Sequence, residues 1–137
     1  MREAAIKPCV GLVDDDESLC RSLTRLLRAS GIDSVTYASA EDFLEDAERA
    51  RFDCLILDIQ LGGMSGIECR DRLSESGLTL PVIFLTAYDE PETRERALGG
   101  RCIAYMRKSD SGSALLAAID RAIRGKREPM QETGKTP

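Results

Sequence analysis

Short, nearly continuous apolar runs alternate along this chain with segments whose apolar residues recur every three or four positions. The first run, Cys9-Val10-Gly11-Leu12-Val13, has no polar alternation, which marks a strand buried on both faces. Leu19, Leu23, Leu26 and Leu27 then share one side of a helix, and Gly31 closes it. Residues 35–38 predict a weaker strand. Ser39 supplies an N-cap for a helix over about 40–50, with Phe43, Leu44 and Ala47 on one face. The pattern then repeats: a buried strand over 54–57 ends on Asp58, and a loop carrying Gly62, Gly63 and Gly66 leads into a helix over 65–76 that Gly77 stops. Pro81 opens the next strand, 81–86, at the one position where a strand tolerates it. A polar helix over 90–98, a strand over 103–106 and a last helix bearing Leu115, Ile119, Ala122 and Ile123 complete the series.

Five strands alternating with five helices predict an α/β domain whose parallel sheet is covered on both faces, with right-handed crossovers. In such open sheets function sits beyond the carboxyl ends of the strands. The first strand ends in Asp14-Asp15-Asp16-Glu17, the third in Asp58, the fourth in Thr86, and the fifth runs out through Tyr105 to Lys108. Four consecutive acids repel a phosphate placed directly on them, so the first loop calls for solvation or a cation. Asp16 and Glu17 fit the start of a helix, where acids are favoured by its dipole. Asp14 and Asp15 sit at the strand edge, and hard oxygen ligands favour magnesium over zinc. An acid that ends a buried strand, as Asp58 does, must be paired, coordinated or exposed at the sheet rim.

Composition narrows the chemistry. The chain of 137 residues has no histidine and no tryptophan, which excludes Ser-His-Asp and Cys-His sites, His-ligated zinc and a phosphohistidine carrier. Its 24 acidic residues outnumber 19 basic ones for a net charge of -5, against direct nucleic-acid binding by this domain. The short basic cluster Arg121, Arg124, Lys126 and Arg127 fits a solvated helix end. Five cysteines, an odd number with no C-x-x-C pair, argue against a disulfide framework or zinc site. Cys9 and Cys54 fall in apolar runs and fit small buried hydrophobes. Neither a signal peptide nor a membrane-length apolar run is present, so a cytoplasmic protein is expected.

Four segments in order, VDDDE at 13–17, LDIQLGGMSG at 57–66, VIFLTA at 82–87 and AYMRK at 104–108, resemble the receiver domain of two-component response regulators, of the CheY-like and FixJ-like type. The resemblance covers residues 7–124, leaving an N-terminal extension at 1–6 and a tail at 125–137 that is expected to be disordered. It implies a flavodoxin-like (βα)5 fold with strand order 2-1-3-4-5. It implies that Asp58 is the phosphoacceptor, taking a phosphoryl group from a histidine kinase or histidine phosphotransferase. Asp14, Asp15, Asp58 and the backbone carbonyl of Gln60 would hold Mg2+ or Mn2+. Thr86 and Lys108 would contact the phosphoryl group, and Tyr105 would be the aromatic switch. The surface built by the 90–98 helix, the fifth strand and the last helix would then change for a downstream protein partner or a phosphorylation-linked dimer. On this reading the domain is not an enzyme acting on a separate substrate, although it assists its own phosphorylation and dephosphorylation.

The sequence departs from the family at two loops. Gly62-Gly63 replaces the usual proline, which predicts a more mobile loop, and Ser109 rather than proline follows Lys108, which predicts a trans bond. Arg101 stands where a small residue is common. Other readings fit less well. A haloacid-dehalogenase-type phosphatase needs an acid where Gln60 stands, and a flavodoxin-like cofactor binder needs a hydroxyl-rich loop where the acids stand. A degenerate receiver used only for binding, and the receiver part of a DNA-binding regulator, remain as alternatives.

Overall fold

The structure, a computed structural model, describes residues 7–46 and 48–127. In chain order it contains β1 (Cys9–Val13), α1 (Glu17–Ala29), β2 (Asp33–Tyr37), α2 (Ala40–Glu45), β3 (Cys54–Asp58), α3 (Gly66–Glu75), β4 (Val82–Thr86), α4 (Pro91–Leu98), β5 (Ala104–Arg107) and α5 (Gly112–Arg127). All strands pair in parallel, in the order β2-β1-β3-β4-β5 expected from the resemblance. The described peptide bonds are trans, that between Lys108 and Ser109 included.

Side chains alternate across a strand, and here the alternation builds two apolar layers. Along β3, Leu55 and Leu57 join Val13, Phe43, Phe52, Ile67 and Phe84 in the layer beneath α2, α3 and α4. Cys54 and Ile56 join Val10, Leu12, Leu27, Ile83 and Ile119 in the layer beneath α1 and α5. This is why β3 and β4 are buried at every position, and why their sequences show no alternation of apolar and polar residues. Gly11 lets the first layer close over β1, since a Cβ there would approach Leu55 and Phe52 to 3.2 Å. The layers hold the strand ends at one rim. Asp16, Ser39 and Ser65 start their helices by accepting from free amides of the first turn. Gly31 and Gly77 end α1 and α3 at φ of +80° and +85°.

The bounds differ from expectation in four places. α2 stops at Glu45 rather than near residue 50 because the Asp46 side chain competes with the helix. It accepts from the Tyr37 hydroxyl (2.5 Å) and the Glu48 amide (2.9 Å) and pairs with Arg51 (3.2 Å), and the chain leaves through a 3-10 turn at Arg49–Arg51. Ala47, expected on the α2 face, lies outside the described residues. β2 starts at Asp33, two residues early, because Asp33 donates to the Pro8 carbonyl (2.9 Å) and pairs with Cys9 whatever its side chain. β5 runs over Ala104–Arg107, so Ile103 precedes it. α5 continues to Arg127, past the expected boundary at 124, and carries an Asp120–Arg124 ion pair (2.9 Å). The rest of the expected tail and the N-terminal extension lie outside the described residues. Cys54 is buried as expected, whereas Cys9 is only half-buried.

Candidate functional site

The carboxyl rim of β1, β3, β4 and β5 brings together the acids, hydroxyl and ammonium that the sequence left far apart. Asp58 ends β3, is 2% exposed, and accepts the Gln60 amide on Oδ1 (3.2 Å). Lys108 donates to Asp58 Oδ2 (3.1 Å) and stands 2.9 Å from Asp14 Oδ2. Asp14 follows β1 and is buried, with Oδ1 accepting from the Asp16 amide (2.9 Å). Asp15 is exposed beside it. One carboxylate oxygen from each of Asp14, Asp15 and Asp58 fits within 4.8 Å of the others. Lys108 is placed by the sheet itself, since its amide donates to the Thr86 carbonyl (2.9 Å) and continues the β4–β5 ladder.

Electrostatically the site is over-supplied with negative charge. Burial, then the neighbouring Asp14 carboxylate, push the Asp58 pKa up to about 6, and Lys108 and the Gln60 amide only partly oppose them. The Lys108 ammonium is correspondingly held above its ordinary value, burial opposing and both carboxylates favouring its charge. The Lys108 ammonium meets buried Asp14 Oδ2 as a close ion pair, with no better-aligned donor on that oxygen among the described residues. A groove of about 600 Å³ opens beside Asp14 and Asp15 and runs along α1 past Arg21 and Arg25 to Tyr37.

Thr86 is fully buried at the end of β4, and its hydroxyl is engaged away from Asp58. It accepts the Tyr88 amide (3.1 Å), and its one proton serves either Gln60 Oε1 (2.9 Å) or the Tyr88 carbonyl (2.9 Å). Tyr105, on β5, packs against the α2–α4 layer with Arg94 of α4 over its ring at 5.1 Å. Its hydroxyl is buried without an aligned hydrogen-bond partner, and burial and the nearby Asp89 charge raise its pKa.

This arrangement of strand-end residues, on this strand order, has counterparts among known proteins. The sequence model of the response regulator receiver domain matches residues 10–120. The chain belongs to the response regulator receiver family. Nodulation protein W of Bradyrhizobium diazoefficiens is 33% identical over 117 residues, which span 85% of this chain and 52% of that protein. The transcriptional regulatory protein TdiR of Thauera aromatica is 34% identical over 119 residues, 87% of this chain and 52% of that one. The receiver therefore spans about half the length of the curated relatives it matches. Among solved structures, the response regulator StyR superposes with a TM-score of 0.79 at 36% identity, covering 87% of this chain and 60% of that one. FixJ-N superposes with a TM-score of 0.80 at 27% identity, covering 88% and 96%.

Receivers typically bind Mg2+ in an acidic pocket, and this one has the corresponding cluster of Asp14, Asp15 and Asp58. Three carboxylates face one ammonium, their negative charge is only partly met by it, and the ligands are hard oxygens, so the residues fit a small divalent cation. Three contacts were not foreseen from sequence. The Gln60 side chain reaches Thr86, although only its backbone was assigned a part. Glu41 of α2 accepts the Met64 amide (2.9 Å), so the loop expected to be mobile is fastened from the neighbouring helix, and a Cβ at Gly63 would collide with that carboxylate. Arg70 is buried in α3, and its place between Ile67 and Leu73 at helical spacing is the pattern that could have exposed it.

Proposed function

We propose that this receiver is the phosphoacceptor switch of a two-component relay, with Asp58 the residue phosphorylated. The carrying observation is that a buried strand-end carboxylate stands 3.1 Å from an ammonium and within reach of two further carboxylates. An Asp58 carboxylate oxygen attacks the phosphorus of a phosphohistidine on a histidine kinase or histidine phosphotransferase; the P–O bond forms as the P–N bond breaks, and the imidazole leaves. Phosphoryl transfer depends mainly on positioning and charge stabilisation, which Lys108 supplies on one side. A Mg2+ or Mn2+ held by Asp14, Asp15, Asp58 and the Gln60 carbonyl would neutralise charge on the transferring oxygens.

The resulting acyl phosphate adds acceptor oxygens between Thr86 and Lys108. Thr86 then leaves Gln60 and Tyr88 to bond the phosphoryl group, which opens space for Tyr105 and alters the surface of α4, β5 and α5. A protein partner or a second copy of the chain binds that altered surface. The domain acts on no separate substrate and works in the cytoplasm; among the described residues no helix is long and apolar enough to cross a membrane. A second reading, that this is the receiver part of a transcriptional regulator, is supported by the relatives of that description and by the share of their length it spans. Incubation with acetyl phosphate and Mg2+ followed by intact-mass measurement tests the main reading. One phosphoryl adduct is expected, absent in Asp58→Asn; no adduct, or one that persists in the variant, overturns it.

A further inference from the structure

Arg70 is the one buried cation in the described core, at 3% exposure, and the phosphoacceptor site does not use it. A buried guanidinium is retained only where its donors and charge are met. Here Nη1 donates to the carbonyls of Ala97 (2.8 Å) and Arg101 (3.0 Å), Nη2 to that of Arg96 (3.2 Å), and Nε to Asp71 (2.7 Å). The group also lies 5.4 Å from the Phe84 ring centre. Its carbonyl acceptors lie at the end of α4 and in the loop into β5, so it adds to the Gly99 and Gly100 amides that cap the last carbonyls and meets the negative end of the helix dipole. Apart from Arg94 over the Tyr105 ring, α4 has little else to hold it. Ala97 is its one buried residue, and Glu90 caps its start without a side-chain hydrogen bond. Gly100 completes the seat, because a Cβ there would stand 2.6 Å from Arg70 Cζ. The exposed side chain of Arg101 is incidental on this view; its carbonyl is what the contact uses.

We propose that Arg70 is a positioning residue that locks α4 and the α4–β5 loop in the resting arrangement, and so sets how readily the surface responds at Asp58. The inference rests on the reading of Asp58 as phosphoacceptor and of α4–β5–α5 as the responding surface. α3 begins immediately after the Asp58 loop, with the Gly66 amide bonded to the Ile59 carbonyl (3.1 Å), so the lock joins the element that follows the phosphoacceptor to the element that answers it. Two sites that share a conformational equilibrium affect one another reciprocally. Weakening the lock therefore populates the responding arrangement and tightens binding at Asp58.

The test uses the full chain with beryllofluoride and Mg2+ as the phosphoryl mimic, in Arg70→Gln and, independently, in Gly100→Ala, which displaces the guanidinium while keeping its charge. Gly125→Ala, with open space around it, is the control. Amide exchange is expected to accelerate in α4 and residues 99–103 while β1 and β3 stay protected. Beryllofluoride is expected to bind both variants at least about fivefold more tightly than wild type, the low end of ordinary two-site coupling. Loss of packing alone does not tighten a remote site. Unchanged or weaker binding in the variants, unaltered α4 exchange, or exchange that rises equally in β1 and β3 overturns the lock. Absence of binding to wild type overturns the phosphoacceptor reading instead, and the lock with it.

Discussion

Asp58 carries its charge against opposition. Its folded-state pKa of about 6 lies above the ordinary value of about 4, so between those two pH values the folded chain holds more proton than the unfolded one. Metal-free stability therefore falls as pH rises through that window and is regained on acidification, by about 3 kcal/mol in all. Asp58→Asn removes both the charge and the slope. In urea unfolding without metal at pH 7.5 the variant is expected to be more stable than wild type by about 1–2 kcal/mol, with a flatter profile between pH 4 and 6. Lys108 shows the complementary case. Lys108→Met leaves Asp14 and Asp58 facing each other with no cation, and a loss of about 2 kcal/mol is expected, discounted for the partial exposure of Lys108. Added Mg2+ is expected to offset much of that loss, which unfolding curves with and without the ion will show. The strand-end acids, Thr86 and Lys108 were legible in the sequence because each stands within two residues of the end of an apolar run, and the strand order aligns those ends. The partner of the Thr86 hydroxyl was not, since the reach of a glutamine side chain across a rim leaves no pattern in the chain.

At the scale of elements, the helices were legible where capping and apolar spacing agreed. Ser39, Ser65 and Asp16 start helices as their residue types suggest, and Gly31 and Gly77 end them. α2 was overestimated because Asp46 spends its side chain on Tyr37, Glu48 and Arg51, a tertiary choice that local propensity does not register. The loop after Asp58 holds a contact that its glycines do not announce, because Glu41 arrives from an element more than twenty residues away. Gly66 has a stricter part in that loop than conformational freedom. A Cβ on it would run into the Asp58 carbonyl oxygen, so α3 can begin this close to β3 only with glycine there. Gly66→Ala is expected to cost about 1–3 kcal/mol, the range of overpacked sites, and to lower the rate of adduct formation from acetyl phosphate because the Asp58 backbone must shift. A variant with wild-type stability and rate would remove Gly66 from that role.

For the molecule as a whole, two apolar layers fix one sheet, and the sheet brings Asp14, Asp15, Asp58, Thr86 and Lys108 to one rim. The negative net charge is unevenly spent, because Asp14, Asp15 and Asp58 concentrate part of it where a divalent cation fits. The fold was legible because a parallel sheet buried on both faces imposes its pattern on the central strands β1, β3 and β4, and less on the edge strands β2 and β5; the inter-helix contact of Arg70 was legible only as an oddity on an apolar face. The hydrogen bond from the Lys108 amide to the Thr86 carbonyl has a consequence for how the chain tolerates change. Loops at the other end of the sheet can vary in length without disturbing the rim, whereas β5 cannot slip by one residue, since every side chain on a shifted strand turns to the opposite face. A glycine inserted between Met106 and Arg107 is expected to reproduce the Mg2+-relieved instability of Lys108→Met in the same unfolding curves, although every residue of the site is still present. The sheet is thus a ruler as well as a scaffold: the distance between hydroxyl and ammonium is written in strand register, and a gain or loss of one residue in β5 erases it.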